Sequence, residues 1–192
     1  MQNLTKKYYE ENAISYIKDT LDCDMSSQYK LLEKYLKAGI KILDIGFGAG
    51  RDMLYFKSKG YDVCGIDNVK EFCDHATALG LNVLQLSILD LNDYQTVDAI
   101  WACASLLHIH PNDLPLCFKN CYRALKAGGY MYASFKYGDF QGELNGRYFT
   151  FMTEDSLKPF YEEAGFKLIE LSTSQDNNSR NLKWLNIILQ KI

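Results

Sequence analysis

The sequence predicts a doubly wound α/β fold: a mostly parallel sheet with helices on both faces. Three observations carry this. Short apolar runs suited to buried strands alternate with helical stretches over residues 41–135. Glycines punctuate the junctions at Gly39, Gly60, Gly80 and Gly128-Gly129. The stretch 41–52, KILDIGFGAGRD, reads as a strand, a glycine loop and a helix start in succession. Such alternation builds right-handed βαβ crossovers and so a parallel sheet.

In chain order, residues 1–38 read as a helical cap preceding the sheet. One helix spans 5–20, with Ile14, Ile17 and Leu21 on one stripe. Ser26 or Ser27 caps a second, with Leu31, Leu32, Tyr35 and Leu36 inward, and Ala38-Gly39 ends it. The core follows over 39–192, so that 1–192 forms a single domain. Its first strand is 41–45, and the next helix carries Met53, Leu54 and Phe56. A second strand, 61–66, ends at Asp67. A helix over 69–79 leads to a third strand, 82–86. The fourth strand is 99–103, a helix covers 114–125, and the fifth strand is 130–135. Residues 139–147 are polar and read as a surface loop or flap. Thr153 caps a helix that contains Pro159 and reaches Ala164-Gly165. Strands at 166–171 and 184–189, joined by the polar stretch 172–181, form an antiparallel pair, which puts one reversed strand in the sheet.

The 192 residues suffice for a real core, and 47% hydrophobic with 23% charged residues is a globular balance. No apolar run approaches the roughly 18 residues needed to span a bilayer. The N-terminus lacks the apolar segment of a signal peptide, so a cytoplasmic protein is expected. The net charge of −3 does not favour nucleic acid, which would need a local basic patch. Six cysteines form no CxxC pair, and no metal site is expected, whether from these or from Cys103 with His108 and His110.

Ligands of such sheets lie at the C-terminal strand ends. Asp67, 19 residues beyond Gly48, can accept both hydroxyls of an adenosine ribose. To that point a dinucleotide fits equally well. The dinucleotide fingerprint, however, requires GxGxxG, and its third glycine position is Arg51 here. Asp44, beside the first glycine, repels a pyrophosphate and favours an ammonium or sulfonium. S-adenosylmethionine combines adenosine with both. Asp44 can equally anchor loop N–H groups.

DIGFGAGRD at 44–52 and GYDVCGID at 60–67 resemble the class I S-adenosylmethionine-dependent methyltransferases, and the likeness covers nearly the whole chain. WACASLLHI at 101–109, LKAGGYMYASFKYG at 125–138 and GRYF at 146–149 are similar to small bacterial enzymes related to tellurite-resistance methyltransferases. There Phe47 replaces a common cysteine. The resemblance implies a Rossmann-like seven-stranded sheet of order 3-2-1-4-5-7-6 with strand seven antiparallel. It places the methionine part of the cofactor at Asp44, Gly46, Phe47, Gly48 and Arg51, and the ribose at Asp67 and Asn68. Ser87, Ile88 and Asp90 flank adenine, and Cys103 and Ala104 face the sulfonium. The product is S-adenosylhomocysteine.

Methyl transfer is an in-line displacement that proximity, alignment and desolvation can drive without an obligatory base. His108, just past the fourth strand, is the candidate base or substrate contact, with an ordinary pKa suited to neutral pH. It can instead bond loop backbone. Tyr8, Tyr9 and Tyr16 can meet the substrate or sulfonium, or simply pack. Lys136, Arg147 and Arg180 can bind an anionic substrate, or pair with Glu143, Glu154 and Asp176. A small-molecule acceptor is expected. The alternatives are a cofactor-binding regulatory or assembly subunit without transfer activity and, more weakly, an NAD-dependent dehydrogenase. Neither the acceptor atom nor the oligomeric state can be read from the residues.

Overall fold

A computed structural model describes residues 2–92, 95–176 and 182–192, with side chains from Leu4 onward. Its seven-stranded sheet has the order β3-β2-β1-β4-β5-β9-β8. The strands are β1 (Lys41–Ile45), β2 (Asp62–Asp67), β3 (Asn82–Gln85), β4 (Val97–Ala102), β5 (Leu125–Lys136), β8 (Phe166–Gln175) and β9 (Lys183–Lys191). Only β9 runs against its neighbours. This is the expected order once two extra strands, β6 (Gln141–Leu144) and β7 (Arg147–Thr150), are counted.

Those two strands correct the expectation of a loop at 139–147. They form a hairpin in which Leu144 pairs with Arg147 across a two-residue Asn145-Gly146 turn. Both turn residues have positive φ, 51° and 75°. That conformation matches strand twist, and Asn-Gly favours it.

Side-chain alternation along the strands divides the core. Leu43, Ile45 and Ile100 join α5 (Leu114–Ala124) and α6 (Glu154–Ala164) on one face. Ile42, Ala99 and Trp101 join α2 (Ser26–Glu33), α3 (Arg51–Ser58) and α4 (Lys70–Ala78) on the other. The helix α6 starts as expected, with Thr153 and Ser156 forming a reciprocal cap, and continues through Pro159. The β5 strand begins five residues before the expected 130, because Leu125 already pairs with Val97 ahead of a register shift.

The cap differs more. The helix α1 (Gln2–Thr20) buries Thr5 and Ala13 and turns Tyr9 and Tyr16 to the core, whereas Ile14 is 86% exposed. Its inward stripe follows the i, i+4 spacing from Thr5, not from Ile14. The second helix ends at Glu33, short of Ala38-Gly39, and no side chain caps it. Asp24 instead accepts from the Ser26 N–H at 2.8 Å. No helix among the described residues is long and apolar enough to cross a membrane.

Candidate functional site

The glycine loop between β1 and α3 turns so tightly that Gly46, Gly48 and Gly50 all have positive φ. The Gly46 N–H donates to the Ile66 carbonyl at 2.7 Å, tying the loop to β2. Side chains are excluded here. A Cβ on Gly46 would lie 2.6 Å from Cβ of Ser105, and one on Gly48 would lie 3.1 Å from the Tyr16 ring. The loop is thus pressed between the turn after β4 and the cap, where only a bare backbone fits.

Asp67 ends β2 beside it. One carboxylate oxygen accepts from the Gly48 N–H at 3.1 Å and the other from the Val69 N–H at 2.9 Å. Burial pushes its pKa up to about 6, against those two backbone donors. Asp44 lies beneath the loop, fully enclosed. One of its oxygens has no hydrogen-bond partner. Burial, then repulsion from Asp52, holds its carboxyl well above the carboxylate range, with Arg51 opposing and Asp67 adding to the rise. Asp44 lines neither of the two cavities that meet over the loop.

Arg51 opens α3 but turns to its neighbour. It donates to both oxygens of Asp52, at 2.7 and 2.9 Å, and contacts the Thr20 carbonyl at 3.4 Å. Asp52 also accepts from Tyr29 Oη at 2.5 Å and Trp101 Nε1 at 2.8 Å. This buried network escaped sequence reasoning. The Arg-Asp pair at a helix start was its one visible trace.

Two cavities, about 110 and 310 Å³, meet over the loop. Tyr9, Tyr16, Gly46, Ala104 and His108 line both. The first also holds Gly48, Asp67, Asn68, Ser87 and Ile88. The second holds Phe47, Arg51, Cys103, Lys136 and Arg147. Asp90 is left outside both, in an adjoining surface depression with Asn68 and Ser87. Ile88 is buried, and Ser87 caps the short turn that carries it by accepting from the Leu89 N–H at 3.2 Å. Ala104 has φ 51° and is held by its N–H donating to Ser134 Oγ at 2.9 Å. Such a strained residue at a cavity junction is characteristic of functional sites. Ser105, not singled out from the sequence, lines the first cavity with its buried hydroxyl unpartnered. Burial pushes the Cys103 thiol up to about 12, so it stays protonated.

His108 closes the junction. Its Nδ1 lies 2.7 Å from the Tyr148 carbonyl and its Nε2 lies 2.9 Å from Tyr9 Oη. A carbonyl only accepts, so Nδ1 carries the proton and Nε2 accepts from the tyrosine. Burial lowers its pKa to about 4, with Arg147 and Lys136 adding to the effect. The expected pKa near neutrality is therefore corrected: His108 is a neutral, clamped imidazole. Burial likewise raises the Tyr9 pKa, against Arg147. Of the rim cations, Lys136 stands 3.7 Å over the Phe149 ring and Arg147 lies 4.7 Å over Tyr8. Among the described residues Arg147 forms no ion pair with Glu143 or Asp176, while Glu154 accepts from Tyr137. Arg180 lies outside the described residues.

Residues 42–129 match the model of a family described as a methyltransferase domain. No curated protein matches the chain in sequence. Among solved structures, the chain is similar to 1,6-didemethyltoxoflavin-N1-methyltransferase from Burkholderia thailandensis, determined with 1,6-didemethyltoxoflavin and S-adenosylhomocysteine bound. They share 20% identity over 98% of this chain and 88% of that one, at a TM-score of 0.83. A SAM-dependent methyltransferase from Methanosarcina mazei shares 22% identity over 85% and 98%, at 0.76. The [4+2]-cyclase SpnF shares 14% identity over 99% and 95%, at 0.75. At these identities the structural likeness speaks for the fold.

Proposed function

We propose that this class I S-adenosylmethionine-dependent methyltransferase transfers its methyl group to a small-molecule acceptor and releases S-adenosylhomocysteine. The observation that carries the proposal is the pair of cavities meeting at Gly46, Ala104 and His108, one holding Asp67 and the other lined by the rim cations. Asp67 would accept the ribose hydroxyls, with Asn68, Ser87 and Ile88 around the base. The backbone at Gly46 and Gly48 would meet the amino-acid end, near Phe47 and Arg51, with Asp44 enclosed beneath it. Cys103 and Ala104 would border the reacting centre. A small acceptor in the second cavity agrees with the toxoflavin-type substrate bound in the Burkholderia enzyme.

The cofactor supplies a methyl group on a good leaving group, a sulfonium that departs as a neutral thioether. The protein's task is alignment and exclusion of water. Tyr9 and Tyr16 close the cavity from the cap, and π-faces tolerate a positive charge. With a pKa near 4 and its Nε2 already accepting from Tyr9, His108 is a poor general base. We assign it instead to positioning Tyr9.

The second reading is a regulatory or assembly subunit that binds the cofactor without transfer, because one fold hosts different activities and this chain also matches a [4+2]-cyclase. Calorimetry with S-adenosylmethionine, S-adenosylhomocysteine and NAD tests the cofactor. Incubating cell-extract fractions with methyl-labelled S-adenosylmethionine tests transfer. NAD binding with no response to the other two overturns the proposal, and cofactor binding with no labelled product in any fraction favours the second reading.

A further inference from the structure

One wall of the second cavity is built around Arg147. This residue is the first of β7, immediately after the Asn145-Gly146 turn, so its backbone is fixed by the hairpin. The guanidinium carbon lies 4.7 Å from the Tyr8 ring centre, 5.2 Å from Phe149 and 5.7 Å from Tyr9. Aromatic faces thus hold its plane, but they leave its N–H groups unspent. The Nε is buried and has no hydrogen-bond partner. Nη1 makes one long contact, 3.4 Å to Tyr9 Oη. No carboxylate pairs with Arg147 among the described residues.

A second cation approaches the same ring, since Lys136 Nζ is 3.7 Å from the Phe149 centre. Both cations line the cavity that also contains Cys103, Ala104 and His108. Two positive groups converging on one ring repel, and a buried N–H without an acceptor is costly. Of the carboxylates lining this cavity, Asp52 is taken by Arg51, Tyr29 and Trp101.

We infer that Arg147 forms an anion-binding subsite that recognises a carboxylate on the methyl acceptor. The inference rests on the methyltransferase reading above and specifies its substrate class. The planar guanidinium fork matches a carboxylate in two parallel hydrogen bonds, for which Nε is a natural donor. The anionic group is a handle that fixes the acceptor's orientation, and the nucleophilic atom lies elsewhere on the molecule, toward Ala104. Arg147 therefore binds the substrate and takes no part in bond making.

The test is calorimetric titration of benzoate, its neutral isostere benzamide and inorganic phosphate into the protein, with and without saturating S-adenosylhomocysteine. Benzoate is expected to bind at least tenfold more tightly than benzamide and phosphate. In Arg147→Gln the benzoate preference is expected to vanish, with Arg147→Lys recovering part of it and S-adenosylhomocysteine affinity staying within twofold. Equal binding of benzoate and benzamide by the wild-type protein overturns the subsite, whatever the variants do. Phosphate matching benzoate overturns the carboxylate assignment in favour of an inorganic oxyanion. A preference that survives in a folded Arg147→Gln overturns the role of Arg147. Absence of S-adenosylhomocysteine binding sinks the functional reading instead, and the titration without it still decides the subsite.

Discussion

Asp67→Asn separates a binding role from a structural one, because the two predict opposite changes in stability. The wild-type carboxyl has a pKa of about 6 in the fold against an ordinary 3.8. Since the folded value is raised, its ionisation opposes folding. The penalty is absent below about pH 4, grows as pH rises to 6, and is full above that. A rise of this size corresponds to roughly 3 kcal/mol at neutral pH. Asparagine removes that penalty but can accept only one of the N–H groups of Gly48 and Val69, which returns about 1–3 kcal/mol. The melting temperature of Asp67→Asn at pH 7 should therefore equal or exceed that of the wild type. Binding should move the other way. A ribose hydroxyl bonded to a charged acceptor is worth about 1.5–3 kcal/mol, so the S-adenosylhomocysteine Kd should rise roughly 10- to 100-fold. Calorimetry from pH 5 to 8 gives the sharpest view. Wild-type affinity should weaken as pH falls through 6, while the variant's should be flat. A variant that melts well below the wild type yet binds normally would refute the reasoning.

Three further substitutions probe the surroundings. Gly46→Ala places a methyl 2.6 Å from Cβ of Ser105 at a φ of +70°; it should lower stability by about 1–3 kcal/mol in denaturant melts and abolish detectable S-adenosylhomocysteine binding. His108→Gln should flatten the acid side of the stability curve. The wild-type histidine has its pKa lowered to about 4, so its contribution is full above about pH 6.5 and is lost as pH falls toward 4. Melts at pH 7 and 4.5 should show a steeper loss for wild type, by at most about 3 kcal/mol, reduced by solvent screening. Thr5→Val removes the acceptor of the buried Tyr148 N–H, which sits 2.9 Å from Thr5 Oγ1; it should cost about 1–3 kcal/mol and speed hydrogen exchange at that amide.

What could be read from the sequence was whatever a local pattern determines. Asp44, the glycines and Asp67 were visible because strand ends and glycine turns are encoded by adjacent residues. The reversal of β9 followed from a short connection. The β6–β7 hairpin was also written locally, in Asn145-Gly146, but β6 is short and polar, so 139–147 read as a loop. Ile14 misled because the inward face of α1 is set by what the cap covers: Tyr9 and Tyr16 meet Phe72 and the glycine loop, so the tyrosines turn inward and the isoleucine outward. The state of His108 was beyond any pattern, since its partners are a carbonyl 40 residues ahead and a hydroxyl 99 residues behind. Asp52 likewise drew no notice, because its value lies in Tyr29 and Trp101, brought from two other elements.

The charge around the glycine loop carries the choice of ligand further than the motif does. Asp52 and Asp67 both act on Asp44 there, and Arg51 opposes them. Its hydrogen bonds go to Asp52 and to the Thr20 carbonyl, which leaves the other two carboxyls to burial. Both hold their protons more tightly, Asp67 through burial and Asp44 through burial and its like-charged neighbours. A pyrophosphate entering this loop would meet two acceptors already short of positive charge, and each further negative charge would raise the strain. A ligand carrying an ammonium and a sulfonium reverses the sign. With such a ligand bound, Asp67 is expected to ionise against ribose hydroxyls. The arginine that breaks the dinucleotide fingerprint thus does more than displace a glycine. By pairing with Asp52 it leaves Asp44 and Asp67 as the carboxyl groups beside the loop without a cationic hydrogen-bond partner.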